Sequence, residues 1–288
     1  MSVIGLGPMG RAMARTFLTT GRPVTVWNRT AERAVDLVAQ GAARAASAAE
    51  AIRAHELVVV SLTDYDAMYA VVAPAAHALP GRVVVNLSSD TPQNARTAAS
   101  WMAERGARYL VGGVMVPPSG IGAPDSTTYY SGPADVLDAH RAALEELTAI
   151  DYRGDDPGLA MLYFQLAQDL LWTSALGYLH ALAVAGANGV SAQQFLPYAV
   201  STLTALQELV AFYTPRIDAG QHPGDVERLA MGLANVDHVL RTSEDAGVDI
   251  TLPVAVREIF RRGIAHGRAD DSVTSLIEVL RSAAPPAP

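Results

Sequence analysis

The chain has 288 residues, half of them apolar, with a net charge of −8 and no basic run; this is enough for one large domain or two ordinary ones, and it does not suit a nucleic-acid ligand. Cysteine is absent, which excludes disulfides, thiolate metal sites and cysteine nucleophiles. All 21 basic residues are arginine, so Schiff bases, pyridoxal anchoring, a phosphate-loop lysine and lysine proton donors are excluded as well.

The opening residues MSVIGLG enter a strand directly, with no basic and hydrophobic leader, so a cytoplasmic protein is expected. Apolar, valine-rich runs (SVIGLG, VTVW, ELVVVSL, RVVVNL and ARYLV) alternate with helical stretches as far as residue 155. The helices open on good caps: Ser47 has Glu50 three residues on, and Thr91 is followed by Pro92. Gly21, Gly41 and Gly106 fall where helices should stop. This spacing predicts right-handed crossovers and an α/β domain over residues 1–155, a Rossmann doubly wound parallel sheet covered on both faces. From Asp156-Pro157 onward the strand pattern disappears. Residues 156–288 read as an all-α domain of roughly five helices, joined to the first without a flexible linker and ending in a disordered tail, SAAPPAP.

Residues 158–187 predict a helix of about 30 residues, roughly 45 Å long. Its apolar residues lie all round, which is the mark of burial on every side. Gln168, Asp169 and His180 break any membrane-length apolar run, and no membrane partner is expected. A small domain cannot enclose such a rod, so burial against a second copy of the chain is the simplest arrangement; a kink near Gly177 with burial inside one chain is the alternative. No two of the seven histidines are spaced three or four apart as paired metal ligands would be, so no metal site is expected and His180 reads as a satisfied core histidine.

Gly5-Leu6-Gly7-Pro8-Met9-Gly10 fits G-x-G-x-x-G between the first strand and the first helix. Gly5 permits the tight turn, Gly7 lets backbone approach a pyrophosphate, and Gly10 allows close helix packing. The next strand, VTVW, ends in Asn28-Arg29-Thr30, where dinucleotide-binding folds usually hold an acid. A carboxylate there would bond a ribose 2′-hydroxyl and repel a 2′-phosphate. An uncharged Asn28, a guanidinium at Arg29 and a hydroxyl at Thr30, with Arg33 one turn on, predict NADPH instead.

GLGPMG, VTVWNRT, VVVSLTDYDA, RVVVNLSSDTP, VGGVMVPPSGIGAP, YYSG, GLAMLY, GYLHA, PGD and GVDITLP follow one another along nearly the whole chain. In this order and spacing the sequence resembles the NADPH-dependent imine reductases and reductive aminases, relatives of the β-hydroxyacid dehydrogenases. The parent activity uses a lysine on the long helix, and this chain has none. The resemblance implies reduction of a C=N bond in an interdomain cleft, and a homodimer with intertwined helical domains. Ser61, Leu62 and Thr63 are then expected at the cofactor's edge, and Asn86, Ser88 and Ser89 toward the nicotinamide ribose or carboxamide. Met115, Val116 and Pro117 are expected as an apolar wall on the nicotinamide that excludes water.

The resemblance also places position 164 beneath the substrate, where relatives carry Asp or Tyr as the suspected proton donor. This chain has Phe164 there and Trp172 two turns on. Ser89 replaces what can be an asparagine, and Met231 joins the expected substrate pocket. Asp169, the candidate substitute acid, lies about 140° around the helix from Phe164; Gln168 lies about 40° away on the same face but is a poor acid, and Tyr163 is about 100° off. An iminium ion arrives already protonated and needs only water exclusion, aromatic stacking and an aimed hydride. The leading expectation is therefore an NADPH-dependent imine or iminium reductase acting on cyclic imines. Reduction of an activated ketone or 2-oxo acid, or an NADPH-binding protein without catalysis, remain open.

Overall fold

Branched side chains at successive positions favour extended backbone packed on both faces. The valine-rich segments accordingly form the middle of an eight-stranded sheet of order β3-β2-β1-β4-β5-β6-β7-β8. The strands are β1 (Ser2–Ile4), β2 (Thr25–Trp27), β3 (Ala43–Arg44), β4 (Leu57–Val60), β5 (Val83–Asn86), β6 (Arg108–Val114), β7 (Thr127–Ser131) and β8 (Ala149–Tyr152). The computed structural model describes residues 1–282, so the tail predicted to be disordered lies, apart from Ser282, outside the described residues.

Neighbouring strands are parallel except β6 and β7, which pair antiparallel from Val111↔Ser131 to Val114↔Thr128. The segment between those two strands holds no α-helix to carry a crossover, so the chain returns in the opposite direction. Side chains alternate as the pleat requires: Val59 and Val85 enter the layer with Met13, Phe17 and Leu37, whereas Val58, Val60 and Val84 enter the layer with Met68, Leu79 and Met102. One layer holds α1 (Pro8–Thr19), α2 (Val35–Ala39) and α6 (Ala134–Leu144); the other holds α3 (Ala48–Ala54), α4 (Tyr65–Val72) and α5 (Pro92–Ala103). Ser47 and Thr91 cap α3 and α5 as predicted, accepting the N–H of Glu50 and Asn94, and Gly21, Gly41 and Gly106 take positive φ at the helix ends.

The chain divides into two compact units, Met1–Leu170 and the residues from Leu171 onward. The first therefore includes the opening turns of α7 (Gly158–Ala187), because those turns are fastened to the sheet. Ser131 Oγ donates to Pro157 O and accepts the N–H of Ala160, and the Asp156 carboxylate accepts the N–H of Gly158 at 2.9 Å. The second unit contains the rest of α7, then α8 (Ala192–Asp218), α9 (Leu229–Asp245), α10 (Thr251–Ala265) and α11 (Leu276–Arg281). Leu229, Leu276 and Val279 form its buried centre, and Gly263 lets α10 close onto them, since a Cβ there would come within 2.6 Å of Leu229.

The predicted burial of α7 on every side is not supplied by this chain. Only Gly158, Ala160 and Met161 are buried, while Leu166, Leu170 and Trp172 are more than half exposed. Leu203, Leu206 and Val210 of α8 are exposed too. By length and composition alone both helices would suffice to cross a membrane, although Gln168, Asp169 and His180 interrupt the apolar sequence of α7. His180 is also not a core residue: it is partly exposed, and its Nε2 lies 3.1 Å from Asp249 O. α7 runs as one helix through Gly177.

Candidate functional site

The carboxyl ends of β1, β2, β4 and β5 converge on the first helix, and there the glycines act as predicted. Gly5 has φ +92°, and a Cβ on it would lie 2.2 Å from Ser61 O; one on Gly10 would lie 1.9 Å from Gly5 O. At Gly7, by contrast, an added Cβ meets nothing within 4 Å. Gly7 is the N-cap of α1, Pro8 starts the helix, and no side chain caps it. The glycines thus close two backbone contacts and leave the N–H groups of the first turn to an anion.

Asn28 braces this loop. Its Oδ1 accepts the N–H of Leu6 at 2.9 Å and its Nδ2 donates to Thr30 O at 3.0 Å. The amide is needed because it accepts and donates at once, which a carboxylate cannot do. Beside it lies a cavity of about 490 Å³ lined by Arg29, Thr30, Arg33, Thr63 and Ser47 among others. Arg29 is exposed, and the Thr30 hydroxyl is not spent on capping the 3₁₀ turn that follows. Arg33 also borders a second cavity with Gly7, Pro8, Arg11 and Arg15. An anionic nucleotide with an extra phosphate fits this donor set.

A smaller cavity, about 190 Å³, adjoins the β4 and β5 ends and is lined by Met9, Ser61, Leu62, Thr63, Ser89 and Phe164, together with Gly112–Val114 and Met161. Phe164 lies directly on β6: a Cβ on Gly113 would be 2.8 Å from the Phe164 Cβ. Met115, Val116 and Pro117, expected as an apolar wall, are not among the residues lining this cavity. The pairing with β7 carries β6 to Val114 and places Gly112, Gly113 and Val114 in the lining, while Pro117 is exposed and Val116 packs on Gly120.

Two of the three expected loop contacts from the β5 end also change role. Asn86 is fully buried and points into the core: its Nδ2 donates to Tyr109 Oη at 2.8 Å and its Oδ1 accepts the N–H of Ser88. Ser88, also buried, accepts the N–H of Leu62 at 3.0 Å, tying the β4 loop to the β5 loop. Both residues hold loops that line the cavity, and Ser89 alone of the three reaches it. Burial pushes the Tyr109 phenol well above its ordinary pKa, and the side chain lies in the core outside the cavity lining.

Along α7, Tyr163 turns from the cavity to stack with Tyr129 (centroids 5.9 Å apart) beneath the Arg153 guanidinium. Gln168 is absent from the cavity lining, and Asp169 is exposed. The polar side chain of α7 that does reach the loop is Gln165, whose Nε2 donates to Asp90 O at 2.9 Å and lies 3.3 Å from Ser89 Oγ. Its partners are some 75 residues away in sequence, so only the packing of α7 on the sheet exposes the link. Trp172 and Met231 belong to the second unit, where both side chains are exposed.

Residues 1–154 match the NAD binding domain of 6-phosphogluconate dehydrogenase, and residues 156–282 match the NADPH-dependent reductive aminase-like C-terminal domain. The imine reductase of Bacillus cereus BAG3X2 is 59% identical, with 98% of this chain and 99% of that chain covered and a TM-score of 0.92. This chain belongs to the imine reductase and reductive aminase family. An imine reductase of Streptomyces aurantiacus is 51% identical over 98% of this chain and 99% of that chain, with a TM-score of 0.94. The reductive aminase of Aspergillus terreus, solved with NADPH and ethyl-5-oxohexanoate, is 35% identical over 97% and 98%, with a TM-score of 0.93. As a member of this family the chain is an NADP-dependent oxidoreductase, and its cofactor is NADPH. The glycine turn, Arg29, Thr30 and Arg33 are the groups that would hold it, and when bound it supplies the hydride.

Proposed function

We propose that the chain reduces the C=N bond of an imine or iminium ion, small cyclic imines included, to the amine. The observation that carries this reading is the position of Phe164 at the cavity floor on Gly113, beside Met161 and Leu62. An apolar, aromatic wall keeps out water and stacks a flat cation, which is what a pre-protonated C=N bond requires. A ketone would need a proton delivered to oxygen from a better acid than this wall offers. The test is NADPH oxidation with a small cyclic imine and with a preformed N-methyl iminium salt. Turnover of either supports the reading, and turnover of ketones alone overturns it.

The same reading includes a homodimer. The bare apolar faces of α7 and α8 call for cover, and the full-length match to imine reductases favours a second copy over a lipid bilayer. An interface above ~2,000 Å² is expected for an obligate pair. Light scattering at micromolar concentration that found a folded monomer would contradict it.

A further inference from the structure

We propose that the Ser89 hydroxyl donates its hydrogen to the substrate nitrogen, and that Gln165 is the positioning residue that sets the direction of that hydroxyl. The inference rests on the reading of the site as one for C=N reduction. It starts from the Gln165 amide, whose orientation is fixed by a partner that can only accept. Nε2 lies 2.9 Å from the carbonyl oxygen of Asp90, so the NH₂ end must face it. Asp90 is itself immobilised: its carboxylate accepts the N–H groups of Thr91 and Tyr65 and the Asn94 side chain.

The second hydrogen of the same NH₂ group reaches Ser89 Oγ at 3.3 Å. An NH₂ group has no lone pair to offer, so Ser89 is the acceptor in that bond and its own O–H must point elsewhere. Among the described residues the hydroxyl meets no acceptor, and Ser89 lines the cavity it shares with Phe164 and Met161. Phe164 on α7 has no proton to give, while the loop after β5 presents one. As hydride from NADPH reaches the imine carbon, the π pair of the C=N bond moves onto nitrogen. Nitrogen takes the Ser89 proton, and water replaces it on Oγ, so one hydride and one proton are added in all. An N-alkyl iminium has no nitrogen lone pair and cannot use this donor.

The test compares Ser89→Ala, Ser89→Thr, Gln165→Leu and Gln165→Glu on a neutral cyclic imine at alkaline pH and on an N-methyl iminium salt. Calorimetric affinity for a small cyclic lactam, whose carbonyl oxygen accepts a hydrogen bond, gives a readout independent of turnover. Ser89→Ala is expected to slow the neutral imine about 10- to 100-fold, at the low end for a positioned acid, and to change the iminium less than about twofold. Lactam affinity should fall about 2- to 10-fold, the worth of one hydrogen bond. Ser89→Thr should restore most of both. Gln165→Glu should behave like Ser89→Ala, because its carboxylate accepts the hydroxyl's proton and turns it from the cavity; Gln165→Leu should fall between. An equal loss on imine and iminium, or an undiminished lactam affinity in Ser89→Ala, overturns the proposal. If the unmodified protein reduces neither substrate, the C=N reading fails, and the lactam series still decides the direction of Ser89.

Discussion

Asn28 Oδ1 accepts the backbone N–H of Leu6, so the tip of β2 holds the glycine turn through a single side-chain amide. Asn28→Asp keeps that acceptor, loses the donor to Thr30 O and brings a negative charge to the Arg29 cavity. The ratio of KM for NADPH to KM for NADH should rise at least about tenfold, given the ~1.5–3 kcal/mol of a charged hydrogen bond. Steady-state kinetics with both cofactors checks this, and an unchanged ratio would remove position 28 from cofactor choice.

Arg29→Ala should raise the KM for NADPH about 10- to 150-fold while leaving NADH little affected, since one charged phosphate contact is worth roughly 1.5–3 kcal/mol. Equal weakening of both cofactors would show that the exposed Arg29 side chain reads something other than the 2′-phosphate.

Phe164→Leu should reduce turnover about tenfold or less, because packing on Gly113 is disturbed but no acid is lost, and a positioned acid is typically worth about 10²–10⁴. Phe164→Tyr should raise turnover of neutral imines above neutral pH and leave preformed iminium ions nearly unchanged. A collapse of neutral-imine turnover in Asp169→Asn, with no gain from Phe164→Tyr, would assign the proton to Asp169 instead.

The first turn of α7 depends on Asp156, whose carboxyl the Arg96 guanidinium and then the Gly158 N–H hold below its ordinary pKa of 3.8. A depressed carboxyl stabilises the fold above its unfolded pKa, and that contribution goes as pH falls through the lower folded value. Asp156→Asn should cost up to about 1 kcal/mol near pH 7, the worth of the half-exposed fork to Arg96, because an asparagine amide can still accept the Gly158 N–H. The difference from the parent chain should shrink as pH falls below the ordinary carboxyl range and through the lowered folded value. Urea midpoints across that range measure it, and a pH-independent difference would contradict the linkage.

Much of this was legible from residues alone. Runs such as LVVV and VVVN announce buried parallel strands, Ser47 and Thr91 announce helix starts, and a charge-reversed strand tip announces the cofactor. β7 and β8 were not legible, because TTYYS and AIDY carry polar side chains and become strands only by pairing onto β6 and each other. The two residues of β3 are too few to show a period. Within the site, Asn86 reads as a loop polar group, yet its amide faces Tyr109 in the core. Gln165, a neighbour of the residue singled out, is recognised only through Asp90, which is remote in sequence.

A cofactor cavity whose cations are all guanidinium has a consequence for working conditions. Arginine keeps its charge at any pH a folded protein survives, whereas lysine begins to release its own near pH ~10. Amines are free bases in that same alkaline range, which is where condensation with a carbonyl compound to give a neutral imine is favoured. If these arginines hold the dinucleotide phosphates and the substrate is an imine, as proposed, that grip would stay whole as the medium is made basic enough to supply the C=N bond.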